Sequence, residues 1–184
     1  MAVLRRGLGS VLACAGLLLA APAVLPAQVA EEYAVKAAFL YNFTKFVEWP
    51  EVAFPDGSFR LCVLGDDPFG KSLTELSGQE AAGRKLMVVR VQQMEKLEGC
   101  NLLFISRSER GRLSGILSQV EGSPVLTVAD TPGFLEEGGT INFILEGSKI
   151  RFEISQEAAA RAEIKISSKL MSLAKRVKSG PGPA

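Results

Sequence analysis

Four short apolar runs, separated by segments with helical spacing, constrain the fold of this chain more than any other feature. The runs cover residues 59–64, 85–91, 101–105 and 125–129. Strands that alternate with helices in this way need crossover connections, which produce a mostly parallel sheet with helices on both faces. The sequence therefore predicts a single three-layer α/β domain.

The residues after position 140 follow a different pattern. Large apolar residues recur at every second position over 141–145 and again over 150–154, and a short connection joins the two segments. Two alternating segments so closely joined are typical of an antiparallel hairpin. We expect this hairpin at one edge of the sheet.

Two of the predicted helices have clear boundary signals. Apolar spacing predicts a helix over 31–49, which Pro50 would end. After the first strand, Asp66 or Asp67 would cap a second helix, with Pro68 at its first position. Acidic caps and an N-terminal proline are both favoured at helix starts, so a β-α unit is expected here.

Three further helices are predicted in the second half of the chain. Ser106 or Ser108 would cap a helix after the third strand, and an alanine-rich helix is expected at 156–162. Ser167 would cap the last helix, in which the residues at helical spacing form an apolar stripe: Leu170, Leu173, Ala174 and Val177.

The N-terminus has the organisation of a secretory signal peptide. Arg5 and Arg6 precede an apolar stretch at 11–21, and small residues at 21–23 and 25–27 offer cleavage sites. An uncleaved membrane anchor is the alternative, although Gly16 and two prolines interrupt the apolar run. We predict a signal peptide at 1–27, one α/β domain at 28–178 and a flexible tail at 179–184, and hence export to the periplasm.

Composition excludes several classes of function. The chain has no histidine, which removes Ser-His-Asp and Cys-His catalysis and histidine-based metal sites. It carries 21 basic and 20 acidic residues, and cleavage would remove Arg5 and Arg6, so the mature protein is nearly neutral. A neutral surface does not favour binding of nucleic acid. We expect no enzymatic activity, no catalytic residues, no metal and no cofactor.

Cys62 and Cys100 are the two cysteines that remain after the predicted cleavage. An even number of cysteines in an oxidising compartment favours a disulfide, which would close a loop of about 39 residues and stabilise the fold by about 4 kcal/mol. The alternative is two separately buried thiols.

Three carboxylates follow the ends of predicted strands. Asp66 and Asp67 come after the first strand, and Asp130 comes after the fourth. Ligands of open α/β sheets bind beyond the carboxyl ends of the strands, so these residues could line a crevice. The simpler interpretation is that they cap helices and shape turns.

Four stretches of the sequence, taken in chain order, carry a family resemblance. They are 33–50 (YAVKAAFLYNFTKFVEWP), 61–70 (LCVLGDDPFG), 100–106 (CNLLFIS) and 125–177, which contains LTVADTPGFLEEGGTINFI, IRFEIS and ISSKLMSLA. Together they resemble the YfiR/HmsC-like family of periplasmic proteins. The resemblance implies a single α/β domain without catalytic activity, often a homodimer, and Cys62 and Cys100 match a cysteine pair of that family.

The same resemblance implies a partner. Well-known members repress a diguanylate cyclase of the inner membrane by binding its periplasmic region, and an outer-membrane OmpA-like lipoprotein can sequester the repressor. We therefore expect a regulator of cyclic-di-GMP signalling and biofilm formation, with the hairpin and 163–169 forming the partner surface. The candidate contacts are Phe143, Glu153, Lys165 and Ser168. The alternative function is a periplasmic small-molecule-binding or receptor-associated sensor domain that uses the strand-end crevice.

Overall fold

The computed structural model describes residues 26–94 and 97–180. Five helices and ten strands lie within these residues, together with 3-10 helices at Glu51–Ala53 and Arg107–Arg112. The helices and strands are, in chain order, α1 (Pro26–Phe43), β1 (Val47–Glu48), β2 (Phe59–Leu64), α2 (Lys71–Thr74), β3 (Glu80–Ala81), β4 (Arg84–Val91), β5 (Leu102–Ile105), α3 (Leu113–Gln119), β6 (Leu126–Ala129), β7 (Ile141–Glu146), β8 (Lys149–Ser155), α4 (Gln156–Arg161), β9 (Lys165–Ile166), α5 (Ser168–Leu173) and β10 (Arg176–Lys178).

Eight of the strands form one sheet in the order β10-β8-β7-β6-β5-β2-β4-β3. All neighbouring strands in it are parallel except the pairs β3–β4 and β7–β8. The mostly parallel α/β fold and the antiparallel hairpin near one edge are therefore confirmed, with the short strand β10 outermost. Strands β1 and β9 form a separate two-stranded antiparallel sheet.

The core has two layers because the central strands are buried on both faces. On β2, Leu61 and Val63 face a cluster that includes Phe43 of α1, whereas Cys62 and Leu64 face the cluster that α3 covers. Successive side chains of a strand point to opposite faces, so both must be apolar when helices cover both faces. This explains why the strands are continuous apolar runs in the sequence.

The first helix begins and ends earlier than predicted, since it starts at Pro26 rather than at residue 31. It ends at Phe43, and Val47 and Glu48 instead pair with Ile166 and Lys165 in the small sheet. The Thr44 hydroxyl donates a hydrogen bond of 2.7 Å to the Tyr41 carbonyl at the helix end. Pro50 therefore lies beyond the helix rather than ending it, because the tertiary pairing of β1 with β9 overrides helical spacing.

The predicted caps of two helices are wrong. Helix α2 begins at Lys71, after Gly70, and Asp67 Oδ1 instead accepts a 2.8 Å hydrogen bond from the Phe69 amide in a local turn. Helix α3 begins at Leu113, after the 3-10 helix at Arg107–Arg112, and the Ser106 side chain makes no capping hydrogen bond. Side-chain hydrogen bonds within turns compete with helix capping at such residues.

The cap of the last helix is confirmed, but its length is not. Ser167 accepts a hydrogen bond from the Leu170 amide, as predicted. The helix ends at Leu173, and Val177 lies in β10 instead of an apolar stripe. The Lys175 amide donates to the Phe152 carbonyl and so brings the chain back to the edge of the sheet.

The predicted signal peptide at 1–27 lies outside the described residues except for Pro26 and Ala27, and the end of the predicted tail, 181–184, lies outside them as well. The division of the chain at residues 28 and 178 stays a prediction. Within the described ranges, no helix combines the length and the apolar character needed to cross a membrane.

Candidate functional site

The strand-end edge of the sheet contains a buried ionic cluster. Asp130 directly follows β6, and its Oδ2 accepts hydrogen bonds from the Tyr33 hydroxyl at 2.8 Å and from Lys36 Nζ at 2.5 Å. Both donors belong to α1. Asp130 and Lys36 are 3% and 1% exposed, so this acid and this base are enclosed by the protein. The cluster fastens the first helix to the carboxyl end of β6.

Two further charges complete this cluster. Lys36 also pairs with Glu32 one turn earlier on α1. Arg107 Nε donates to the Asp130 carbonyl and lies 3.1 Å from Asp130 Oδ1, which makes no hydrogen bond within the described part of the chain. Burial, followed by the hydrogen bond to Asp130, raises the pKa of Tyr33 well above its ordinary value. Tyr33 is therefore held as a neutral donor.

Asp66 and Asp67 have contacts of their own. Asp67 pairs with Arg90 of β4, with 2.7 Å between Nε and Oδ2, and the Asp66 amide donates to Ser108 Oγ. Gly65 approaches Ser108 so closely that a Cβ at this position would lie 2.4 Å from its hydroxyl oxygen. The loop after β2 and the segment after β5 therefore contact each other directly, through Gly65, Asp66 and Ser108. Among the described residues, no three acidic, histidine or cysteine side chains lie close enough to hold a metal ion.

Cys62 on β2 and Cys100, just before β5, form a disulfide with 5.9 Å between their Cα atoms. The predicted pairing is present because β2 and β5 are neighbours in the sheet. The two cysteines are 1% and 4% exposed. Burial limits access of reductants to the sulfur atoms, which favours a structural role for this bond.

The hairpin and the C-terminal strand carry an exposed ionic network. The Arg176 guanidinium of β10 donates to Glu153 of β8 at 2.8 Å and to Glu136 at 3.0 Å, and Glu146 of β7 pairs with Lys175. The hydrogen bond from Arg176 lowers the pKa of Glu136, and the hydrogen bond from Lys175 lowers the pKa of Glu146. These contacts fasten the C-terminal strand to the hairpin.

The four candidate partner contacts do not share one exposed surface. Phe143 is 2% exposed and packs against rings of the core, with ring centroids 5.9 Å from Phe39 and 5.8 Å from Phe43. Its side chain is therefore not presented to a partner. Glu153 is held by Arg176, Lys165 is exposed on β9, and Ser168 is the first residue of α5.

Two leucines that the sequence pattern placed among apolar core positions are exposed instead. Leu145 is 53% exposed near the end of β7, and Leu173 is 58% exposed at the end of α5. The ion pair between Glu146 and Lys175 brings their two segments together. We call the residues Leu145, Glu146, Glu153, Leu173, Lys175 and Arg176 the hairpin surface. The spacing of apolar residues in the sequence could not identify this surface, because buried and exposed leucines occur at the same spacing.

A separate cavity of about 620 Å³ lies beside the small sheet. Its lining includes Tyr41, Trp49, Phe54 and Arg84, and the Arg84 guanidinium lies over the Phe54 ring, 3.7 Å from its centroid. This volume is in the range of small-molecule sites, which are commonly lined by aromatic rings with a few polar groups. The cavity uses none of the three strand-end carboxylates.

Sequence comparison identifies one family. The family model described as YfiR/HmsC-like matches residues 33–175, which is more than half of the chain. This range includes the buried cluster except Glu32, both disulfide cysteines and the hairpin surface except Arg176. Among curated proteins, no match is found.

Comparison with solved structures finds a similar fold in a conserved domain protein from Vibrio cholerae O1 biovar El Tor strain N16961. The TM-score is 0.52 at 13% sequence identity, and the match covers 79% of this chain and 60% of the Vibrio chain. The ABC domain from Streptococcus pneumonia, in complex with L-Trp, matches with a TM-score of 0.48 at 11% identity, over 65% of this chain and 55% of that one. This chain thus spans less than two thirds of the length of either protein, and the Vibrio match shows the fold alone.

Proposed function

This chain belongs to the YfiR/HmsC-like family, and we propose that it is a periplasmic regulator that represses an inner-membrane diguanylate cyclase by binding the cyclase's periplasmic region. Repression of this kind requires only a surface that stabilises one state of the partner. The protein would thereby lower the production of cyclic-di-GMP and limit biofilm formation without catalysing a reaction itself.

The hairpin surface is the observation that carries this proposal. Two exposed leucines lie on β7 and α5, and a network of opposite charges on β7, β8 and the segment at Lys175 and Arg176 adjoins them, with Leu145 on one face of the hairpin and Glu146 and Glu153 on the other. Protein interfaces combine apolar anchors with a charged rim in the same way, and most of the binding energy comes from a few anchors. We assign Leu145 and Leu173 as the anchors, and Glu153 as a contact at the rim.

The buried disulfide supports the proposed compartment. Disulfides form and persist in the periplasm, whereas the cytosol keeps thiols reduced. The bond joins Cys62 on β2 to Cys100, just before β5, and so links two parts of the core that are distant in the sequence. A periplasmic location would also place the protein within reach of an outer-membrane OmpA-like lipoprotein, which would relieve repression by competing for the same copies of the regulator.

The proposal is tested by deleting the gene and measuring cellular cyclic-di-GMP, which should rise and return to its original level when the wild-type gene is restored. Restoration with Leu173→Glu should fail, because a carboxylate at a central anchor opposes burial against the partner. In a binding assay with the cyclase's periplasmic region, this variant should bind about tenfold more weakly or worse.

Val52→Glu is the matched control. Val52 is 79% exposed and lies beside Glu51, which pairs with Arg84 on the β4 side of the sheet. The Val52→Glu variant introduces the same charge at an exposed apolar residue outside the hairpin surface. It should repress the cyclase as strongly as the wild type does. Full repression by Leu173→Glu, with an unchanged thermal unfolding midpoint, would contradict the assignment of the surface. Unchanged cyclic-di-GMP after deletion would contradict the function itself.

The cavity beside Trp49 favours a second candidate function, in which the protein binds a small molecule. Three aromatic rings and Arg84 suit a planar or anionic ligand, through stacking and charge. Trp49 fluorescence would report such binding during titration with aromatic carboxylates, and Arg84→Gln should weaken it. An unchanged Trp49 signal with every compound would remove this candidate.

A further inference from the structure

A second cavity, of about 150 Å³, lies between the end of α3, the start of β6 and the end of α4. Its lining includes the apolar side chains of Leu117 and Val125 and the hydroxyl groups of Ser114 and Ser118. It shares no lining residue with the cavity beside Trp49 and uses none of the three strand-end carboxylates. We call it the threonine cavity, after the two buried residues that line its inner side.

These two residues are Thr127 and Thr140. Thr127 stands on the α3 face of β6, because its neighbours at 126 and 128 belong to the core cluster on the other face. Its Oγ lies 3.1 Å from the Thr140 Oγ and accepts a 3.0 Å hydrogen bond from the Thr140 amide. The two residues are 4% and 2% exposed, so both hydroxyls are enclosed by the protein.

The hydrogen bonds of this hydroxyl pair leave one donor unused. Each threonine hydroxyl carries one hydrogen that it can donate. Whichever of the two donates to the other, the remaining hydroxyl hydrogen has no acceptor among the groups of the described residues. Buried polar groups are normally paired. A ligand in the threonine cavity is therefore expected to supply an acceptor to this pair.

The charges of the lining restrict the ligand further. Glu121 and Glu137 contribute exposed carboxylates, and Arg161 is the only cation among the described residues of the lining. Arg161 Nη1 donates to Glu157 at 2.7 Å, so its charge is already balanced and the lining remains negative. An anionic ligand would supply the acceptor but would be repelled by the carboxylates. An ammonium ion would suit the carboxylates but has no acceptor to offer.

We infer that the threonine cavity binds a short polyol, a neutral molecule of three or four carbons with a hydroxyl on each. A ligand hydroxyl both accepts from the threonine pair and donates to Glu121 or Glu137. The size agrees, because an apolar cavity of about 150 Å³ holds benzene, which has six heavy atoms like glycerol. The inference does not depend on the proposed cyclase, since the cavity includes no residue of the hairpin surface.

NMR titration of the full mature chain with glycerol, propylamine and propionate tests the ligand class. The amide signals of Gly122 and Gly138, which line the cavity, should shift and saturate at millimolar glycerol. The propylammonium ion lacks the acceptor and propionate lacks the donors, so each should bind at least about fivefold more weakly.

Alanine is titrated as well, because a zwitterion also combines donors with acceptors. Its carboxylate would find Arg161 already paired, so alanine should bind more weakly than glycerol. Equal or tighter binding of alanine, or of either ion, would overturn the assigned ligand class. The absence of a saturable shift with glycerol would overturn the site itself.

A pair of glutamate variants tests the carboxylate contact. Glu137→Leu removes a carboxylate of the lining and should weaken glycerol binding at least about threefold. Glu136→Leu is the matched control, because Glu136 is the neighbouring exposed glutamate and lies outside the lining. It should leave the dissociation constant within about twofold of the wild-type value. Equal affinities of the two variants would overturn the inference.

Valine variants test the unused hydroxyl hydrogen. Thr127→Val combined with Thr140→Val removes both hydroxyls and should abolish saturable glycerol binding. Thr140→Val alone leaves the Thr127 hydroxyl free to donate, so it should bind within about threefold of the wild type. A folded double variant with wild-type affinity would overturn the inference. If the double variant does not fold, the two glutamate variants still decide the question.

Discussion

Two ionic networks hold the two ends of the described chain onto the sheet, and they differ in burial. The network around Asp130 fastens α1 and is enclosed, with side chains of Lys36 and Asp130 that are 2% and 1% exposed. The network around Arg176 fastens β10, and its Arg176 and Glu136 side chains are 46% and 53% exposed. Similar ion pairs therefore have different effects on stability. Breaking the buried pair strongly destabilises the fold, whereas the exposed pair contributes little because water and salt weaken it.

The largest effect is expected from breaking the buried network. Lys36→Met should lower the free energy of unfolding by about 3 kcal/mol or more, because it leaves Asp130 in the interior without its nearest cation. Urea unfolding at neutral pH measures this loss. The double variant Lys36→Met with Asp130→Leu is the control, since removal of both charges should restore part of the stability. A loss below about 1 kcal/mol for the single variant would show that the pair is solvated.

A smaller effect is expected from the neutral member of the buried network. Tyr33→Phe removes the hydroxyl that donates to Asp130 and should cost about 1–2 kcal/mol at pH 7. The pKa of Tyr33 is raised above its ordinary value of 10.0, so its contribution is fully present below pH 10 and is lost as the pH rises further. The stability difference between wild type and variant should therefore shrink from pH 9 to pH 11. A constant difference would contradict the assigned hydrogen bond.

Breaking the exposed network should have little effect on stability. Arg176→Gln removes the bonds to Glu153 and Glu136 and should change the free energy of unfolding by less than about 1 kcal/mol. The difference from the wild type should fall further at high salt, because mobile ions screen exposed charges. A loss as large as that of Lys36→Met would show that β10 depends on this residue as strongly as α1 depends on Lys36.

The smallest expected effect is the acid response of the exposed network. Hydrogen bonding to Arg176 lowers the pKa of Glu136 below its ordinary value of 4.5, so this contribution is present above pH 4.5 and is lost as the pH falls through the lowered pKa. Arg176→Gln should therefore flatten the decline of stability below pH 4.5. Thermal unfolding from pH 6 to pH 3, compared between wild type and variant, measures this slope, and parallel curves would argue against the interaction.

Sequence reasoning succeeded where one local pattern was sufficient. The central strands were predictable because burial on both faces requires continuous apolar runs, as at 59–64. The cap at Ser167 was predictable because the capping serine bonds to an amide three residues later in the chain. The disulfide required only an even number of cysteines together with the prediction that the protein is exported.

Reasoning from the sequence failed where long-range pairing competed with local preference. Helical spacing continued through Val47 and Val177, but both residues lie in short strands that pair with distant segments. The candidate site shows the same limit. Asp130 was identified as a strand-end carboxylate. Its partners Tyr33 and Lys36 lie more than ninety positions earlier, in a helix that was predicted from apolar spacing alone.

The sequence by itself determined the α/β class, the hairpin, the cysteine pair and the family. Each of these depends on short local patterns or on the number of residues of one type. Only the tertiary structure decided which apolar residues remain exposed and which charges are buried. Leu145 and Phe143 illustrate the reason. They lie on the same face of β7, two residues apart, but only Phe143 is covered by aromatic rings from α1, and coverage depends on how distant elements pack.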